Sequence, residues 1–246
     1  VTAGPVLMLH GIGGCAASFD DQVPAFEAAG HRVTAWDAPG YGPSPDPDSA
    51  PGMSGYAEAA AALLDGAEPA HVVGVSWGGV IATRLAAERP GLVRSLVLVG
   101  SSRGSGRTPE GRAAMAARGA ELERLGPAEF AARRGRKLVS PEAPADLVYR
   151  VVSAMARAIR LPGYAFAAAA MAGTDHSAVL GTLDVPALVL AGDRDTVTGP
   201  GESRAIAAAL PGARLEILPG AGHAANQERP DEFNRTVLDF LAETER

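Results

Sequence analysis

The stretch His71-Val72-Val73-Gly74-Val75-Ser76-Trp77-Gly78-Gly79 decides the reading of this chain. An apolar run from His71 to Val75 has the length and β-branched content of a buried strand. The next segment places Val80, Ile81 and Leu85 on one helical face and ends near Pro90. Between them lies G-x-S-x-G, with glycines two residues before and two after Ser76. Glycine lets neighbouring backbone approach without a Cβ in the way, so a sharp strand-to-helix turn can present the serine hydroxyl above a sheet. An ordinary glycine-rich turn is the competing explanation for the motif taken alone.

Working outward, the same rhythm recurs. Pro5–His10, Arg32–Asp37, Ser95–Gly100, Pro186–Gly192 and Arg214–Leu218 read as further strands. Phe19, Val23 and Phe26 mark one intervening helix, closed by Gly30. Tyr56, Ala60, Leu63 and Leu64 mark another, Ile206 and Leu210 a third, and Phe233, Val237, Phe240 and Leu241 a last one. Alternating strands and helices imply an α/β fold, a mainly parallel, doubly wound sheet with helices on both faces. From 102 to 184 no strand is evident. Helices dominate there, broken at Gly126-Pro127, Ser140-Pro141 and Leu161-Pro162-Gly163. The expected organisation is a core of residues 1–101 and 185–246, with a helical cap of residues 102–184 inserted after the fourth visible strand. Ligands of such sheets bind beyond the carboxyl ends of the strands, where the insertion would cover them.

Composition narrows the function. The 246 residues are 47% hydrophobic and 20% charged, a globular balance. A net charge of −6 argues against a nucleic-acid-binding surface. No apolar run reaches a membrane span. The single cysteine, Cys15, forms no intrachain disulfide and reads as a small packing residue. No Cys/His cluster has zinc spacing, so no metal is expected; acyl transfer by a serine with a histidine and an aspartate would require no organic cofactor either. The start, Val-Thr-Ala-Gly-Pro, lacks a basic n-region and an apolar h-region. A cytoplasmic location is the expectation, with upstream residues missing as an alternative because Met is absent.

A serine hydroxyl needs a base oriented by a third group. His223, in Pro219-Gly-Ala-Gly-His, follows the last strand; Asp195, in Gly192-Asp-Arg-Asp, follows the one before it. Both fall at carboxyl ends of strands, on the edge that carries Ser76. The order Ser76, Asp195, His223, the turn around Ser76 and these placements resemble the α/β-hydrolase superfamily, in its capped esterase- and lactonase-like branch. His10-Gly11-Ile12-Gly13-Gly14 is similar to the family's His-Gly signature. Asp37-Ala-Pro-Gly-Tyr-Gly-Pro-Ser44 is similar to its D-x-P-G-x-G-x-S turn. The resemblance covers nearly the whole chain. No residues remain before Pro5 for the β-hairpin with which the family usually begins, so either the chain has been shortened or the sheet has lost an edge.

The resemblance implies Ser76, Asp195 and His223 as catalytic residues, with Asp195 favoured over Asp193 because the family's acid is the third residue after glycine. It implies backbone N–H groups of Ile12 and Trp77 as an oxyanion hole, and a bracing role for His10. Gly11, His176, Arg133 and Arg134 are candidate substrate contacts, the arginines because Arg133-Arg-Gly-Arg-Lys137 could meet a carboxylate. A solvated helix face is the competing account of that run, and His31 and His71 read as solvated or structural. A serine at the elbow disfavours the aspartate-dependent dehalogenases and epoxide hydrolases of this fold. The expected substrate is a small-molecule ester or lactone, with resemblance to 3-oxoadipate enol-lactonases. The alternatives are a serine-dependent C–C bond hydrolase, lyase or cyclase and, in another class, a ligand receptor. No nucleic-acid or membrane partner is expected; a homodimer is open.

Overall fold

A computed structural model describes residues 3–64 and 68–245. Its sheet has six parallel strands: β1 (Pro5–Leu9), β2 (Arg32–Ala35), β3 (Ala70–Val75), β4 (Val93–Val99), β5 (Ala187–Gly192) and β6 (Arg214–Leu218), in the order β2-β1-β3-β4-β5-β6. The register is tight around the centre, with Leu9 opposite Gly74 and Val75 opposite Val99. The chain leaves β1 for one edge and returns to β3 on the other side. The reversal of strand order therefore lies between β1 and β3, and a crevice opens there beyond their carboxyl ends.

Strand alternation feeds two cores. Leu7, Leu9, Val72, Leu96, Leu98 and Val189 face one layer; it contains α2 (Gly52–Ala61), α3 (Trp77–Glu88) and α8 (Gly199–Ala209). Val6, Met8, Val73, Val97, Val99, Leu188 and Leu190 face the other, with Phe26 of α1 (Val23–Ala28) and Phe233, Val237, Phe240 and Leu241 of α10 (Pro230–Thr244). The first expected helix is divided: a turn of 3-10 helix at Ala16–Phe19 precedes α1. The second ends at Ala61, leaving Leu63 exposed.

Four helices occupy the chain between β4 and β5: α4 (Pro109–Ala116), α5 (Arg118–Gly135), α6 (Ala145–Ala158) and α7 (Gly163–Ala172). The break expected at Gly126-Pro127 is a kink inside α5, where Gly126 has φ 72° and ψ 163°. α6 buries Leu147, Val151, Met155 and Ala158, one stripe at helical spacing. A short turn, α9 (Ala225–Glu228), leads into α10. Among the described residues no helix is long and apolar enough to cross a membrane.

Candidate active site

Ser76 ends β3 and caps α3 with φ 53° and ψ −114°. It is the only non-glycine residue with positive φ among the described residues. That strained conformation persists only where its surroundings hold it. Its N–H donates to Val99 O at 2.8 Å, and Ser101 Oγ donates to Ser76 O at 3.0 Å. Gly78 makes the turn possible: a Cβ there would fall inside the Leu9 carbonyl, so only glycine lets α3 start this close to β1. The positive end of α3 consequently points into the crevice beside the hydroxyl.

The loop after β1 forms the opposite lip. His10, fully buried, donates from Nδ1 to Gly11 O (2.8 Å) and accepts the Ala38 N–H on Nε2 (3.1 Å). One donor and one acceptor describe a neutral imidazole. Burial holds its pKa down to about 4, with the Gly11 carbonyl and Asp37 acting against the shift. Its ring lies among Trp36, Tyr41 and Trp77, and the Tyr41 hydroxyl donates to Ile12 O at 2.9 Å. The loop is thus held from both sides. Gly11 is packed against Ser76, for a Cβ on it would lie 3.3 Å from Ser76 Cβ. Among the described residues, neither the Ile12 nor the Trp77 N–H has an acceptor.

His223 and Asp195 are both buried and joined Nδ1 to Oδ2 at 2.9 Å. Asp195 also accepts the Val197 N–H (2.7 Å) and Thr198 N–H (3.2 Å) on Oδ1, and Thr198 Oγ lies 2.8 Å from Oδ2. Burial alone would raise this carboxyl. The His223 bond and charge, with the Val197 and Thr198 donors, outweigh it and bring the pKa to about 2. Asp193, in contrast, is exposed and accepts the Gly220 N–H. Thr198 Oγ also reaches Gly100 O at 2.9 Å, linking the acid loop to the end of β4. Thr198 belongs to no motif; its place three residues after Asp195 is the one signal of it in the sequence.

Ser76, His223, Gly11, Ile12, Trp77 and Arg134 line one cavity of about 490 Å³. No hydrogen bond joins Ser76 Oγ to His223 Nε2; the His223 ring is held from its Nδ1 side by Asp195. Arg133 and His176 are not brought to the cavity. Arg133 is exposed and pairs with Glu129 one turn earlier; one residue along a helix rotates its side chain away from that of Arg134. His176 is buried with both ring nitrogens unpartnered, its backbone tied to Arg103 O at 2.7 Å. Cys15 is half-buried, and burial pushes its thiol pKa up. His31 and His71 are buried rather than solvated, bonded to Gly4 O and Ser95 Oγ.

A parallel sheet with a strained serine at the end of β3 and a joined Asp–His pair on the loops after β5 and β6 defines a hydrolase-type α/β architecture. The chain belongs to the Alpha/beta hydrolase family, whose sequence model matches residues 6–236. It is 34% identical, over 96% of its length and 91% of the relative's, to a Variovorax paradoxus (strain S110) protein provisionally named carbamate hydrolase RutD. It is 31% identical to the 2-hydroxy-6-oxononadienedioate/2-hydroxy-6-oxononatrienedioate hydrolase of a Pseudomonas species, over 96% of this chain and 87% of that one. The enol-lactonase of Burkholderia xenovorans LB400 superposes with a TM-score of 0.87 at 25% identity, covering 98% of this chain and 92% of that structure.

Proposed function

We propose that this chain is a serine hydrolase that opens a carboxylic ester or lactone of a small organic molecule through an acyl-enzyme on Ser76. Ser76 Oγ attacks the carbonyl carbon while His223 Nε2 takes its proton. The carbonyl oxygen becomes an oxyanion between the Ile12 and Trp77 N–H groups; one such donor is typically worth about 10²–10³ in rate. The intermediate collapses, the C–O bond breaks, and the alkoxide leaves with the proton from His223. Water, deprotonated by His223, then attacks the acyl-enzyme; the acyl C–O bond to Ser76 breaks, and His223 returns the proton to Ser76 Oγ as the acid is released.

Asp195 keeps the His223 proton on Nδ1, leaving Nε2 as the acceptor. The observation that carries this reading is the 2.9 Å Asp195–His223 bond in the wall of the cavity into which Ser76 opens. The likeness to an enol-lactonase supports the lactone or ester class. The relative named as an oxononadienedioate hydrolase favours a second reading, hydrolysis of a C–C bond in a vinylogous diketone. A panel of p-nitrophenyl esters, lactones and ring-cleavage diketones, run with the parent protein and Ser76→Ala, separates the two. Ester or lactone turnover that Ser76→Ala loses supports the first reading. Turnover of diketones alone would replace it with the second.

A further inference from the structure

A second group of reactive side chains lies at the amino ends of the strands, the edge of the sheet opposite Ser76. His71, the second residue of β3, stands on the same face as Val73, the face that α10 covers. Its register partners are Val6 on β1 and Ser95 on β4. His31 directly precedes β2, and Glu245 directly follows α10. Residues far apart in the sequence thus meet under the end of the last helix. One ligand atom from each of His31, His71 and Glu245 lies within 4.8 Å of the others. His71 is fully buried, His31 nearly so, and Glu245 is half-buried, on the side open to solvent.

The two imidazoles are held from behind. His31 Nδ1 lies 3.0 Å from Gly4 O, so it carries the proton and donates, leaving a lone pair on Nε2. Among the described residues, that Nε2 has no hydrogen-bond partner. His71 Nδ1 lies 2.8 Å from Ser95 Oγ, which can accept its proton and likewise free Nε2. A carbonyl or hydroxyl behind one ring nitrogen, with the other nitrogen aimed at a shared centre, is how metal-ligating histidines are oriented. His71 Nε2 is 3.4 Å from Glu245 Oε1, while the Gly4 N–H donates to that oxygen at 2.7 Å. The 3.4 Å separation is long for an N–H···O bond. It matches the edge of a tetrahedron with bonds of about 2.0–2.1 Å, roughly 3.3 Å. Small rotations of the rings and of the glutamate chain close the remaining gaps. Gly4 adds no side chain here; a Cβ on it would lie 3.5 Å from Glu245 Oε1 and 3.6 Å from His71 Nε2. The neighbouring cation, Arg94, donates from Nε to Pro69 O at 3.3 Å.

We propose that His31, His71 and Glu245 bind one divalent transition-metal ion of the zinc type, with water as the fourth ligand. Two imidazoles and a carboxylate suit zinc and its neighbours better than magnesium or calcium, which prefer oxygen ligands alone. The ion would fasten the starts of β2 and β3 to the end of α10. Its role is structural, at the far end of the sheet from the reaction.

The test strips untagged protein with EDTA, removes the chelator, and titrates zinc chloride by calorimetry. One ion per chain should bind. Ser95→Ala should weaken binding roughly tenfold to a hundredfold, the usual cost of losing the group behind a ligating histidine. His31→Ala and His71→Ala should cost more. Glu245→Gln keeps an oxygen for the Gly4 N–H but loses the charge; it should weaken zinc binding by at least tenfold and tests the site should a histidine variant fail to fold. His223→Ala should bind zinc as the parent does. Because the ion joins elements that meet only in the folded chain, zinc at a hundredfold excess over Kd should raise the parent's melting temperature by about 5–10 °C, and that of Glu245→Gln by less. No saturable binding in the parent, binding unchanged in Glu245→Gln, or binding lost in His223→Ala, which would place the ion beside Ser76, would overturn the proposal.

Discussion

Replacing Asp195 by asparagine should inactivate the protein through a proton rather than through a lost contact. The carboxylate accepts every bond it makes: Val197 and Thr198 N–H on Oδ1, His223 Nδ1 and Thr198 Oγ on Oδ2. An asparagine must keep its oxygen towards the two backbone N–H donors, which sets its NH₂ against His223 Nδ1. The imidazole then has to accept there and carry its proton on Nε2, the wrong tautomer for deprotonating Ser76. A wrong-tautomer histidine costs roughly 10⁴ in turnover. The same substitution has a stability signature. The Asp195 pKa falls from its usual 3.8 to about 2 in the folded chain. Because the folded pKa is the lower one, the stabilisation is complete above about pH 4 and is lost as pH falls through about 2. Two units correspond to about 2–3 kcal/mol for this buried group. Ester kinetics and thermal unfolding of the parent, Asp195→Asn and Asp193→Asn proteins between pH 7 and pH 2 would read both effects. Asp195→Asn should lose activity and be less stable at neutral pH, with the stability gap closing in acid; Asp193→Asn should differ little. Asp195→Asn activity within tenfold of the parent, or a greater loss in Asp193→Asn, would remove Asp195 from this role.

Other outcomes follow from the same geometry. His10, His71 and His176 are each held to about 4, chiefly by burial, so the unfolded chain binds more protons between about pH 6.5 and 4. Stability should fall as pH drops through that window, by roughly 3 kcal/mol for each histidine at its acid end; a melting temperature flat across it would contradict this. Gly78→Ala drives a methyl into the Leu9 backbone and should cost more than ~3 kcal/mol or prevent folding. Gly91→Ala, with nothing within 4 Å of the new Cβ, should shift unfolding by under ~1 kcal/mol, read by denaturant titration. Thr198→Val removes the hydroxyl beside Asp195 and Gly100 and should lower kcat about tenfold with KM nearly unchanged, the scale of one hydrogen bond in a buried network. Steady-state ester kinetics would check it.

The sheet was legible because each strand is a short apolar run stopped by glycine or proline. The Ser76 turn was legible because its glycines satisfy a local steric demand. His223 and Asp195 could be placed at the ends of the last two strands, while the choice of Asp195 over Asp193 came from the family resemblance. The positively charged side of the cavity was less so. Arg133 and Arg134 are neighbours in sequence, and helix rotation alone separates an exposed ion pair from a cavity wall. The division of the first helix and the bonds of Thr198 likewise arise from tertiary contacts that periodicity does not encode.

Whether Ser76 is a nucleophile activated by His223 can be read by fluorophosphonate labelling followed by peptide mass mapping. One adduct is expected, on Ser76, formed rapidly by the parent protein and drastically slowed in a folded His223→Ala variant. An unlabelled parent protein, an adduct on another serine, or labelling indifferent to His223 would contradict it.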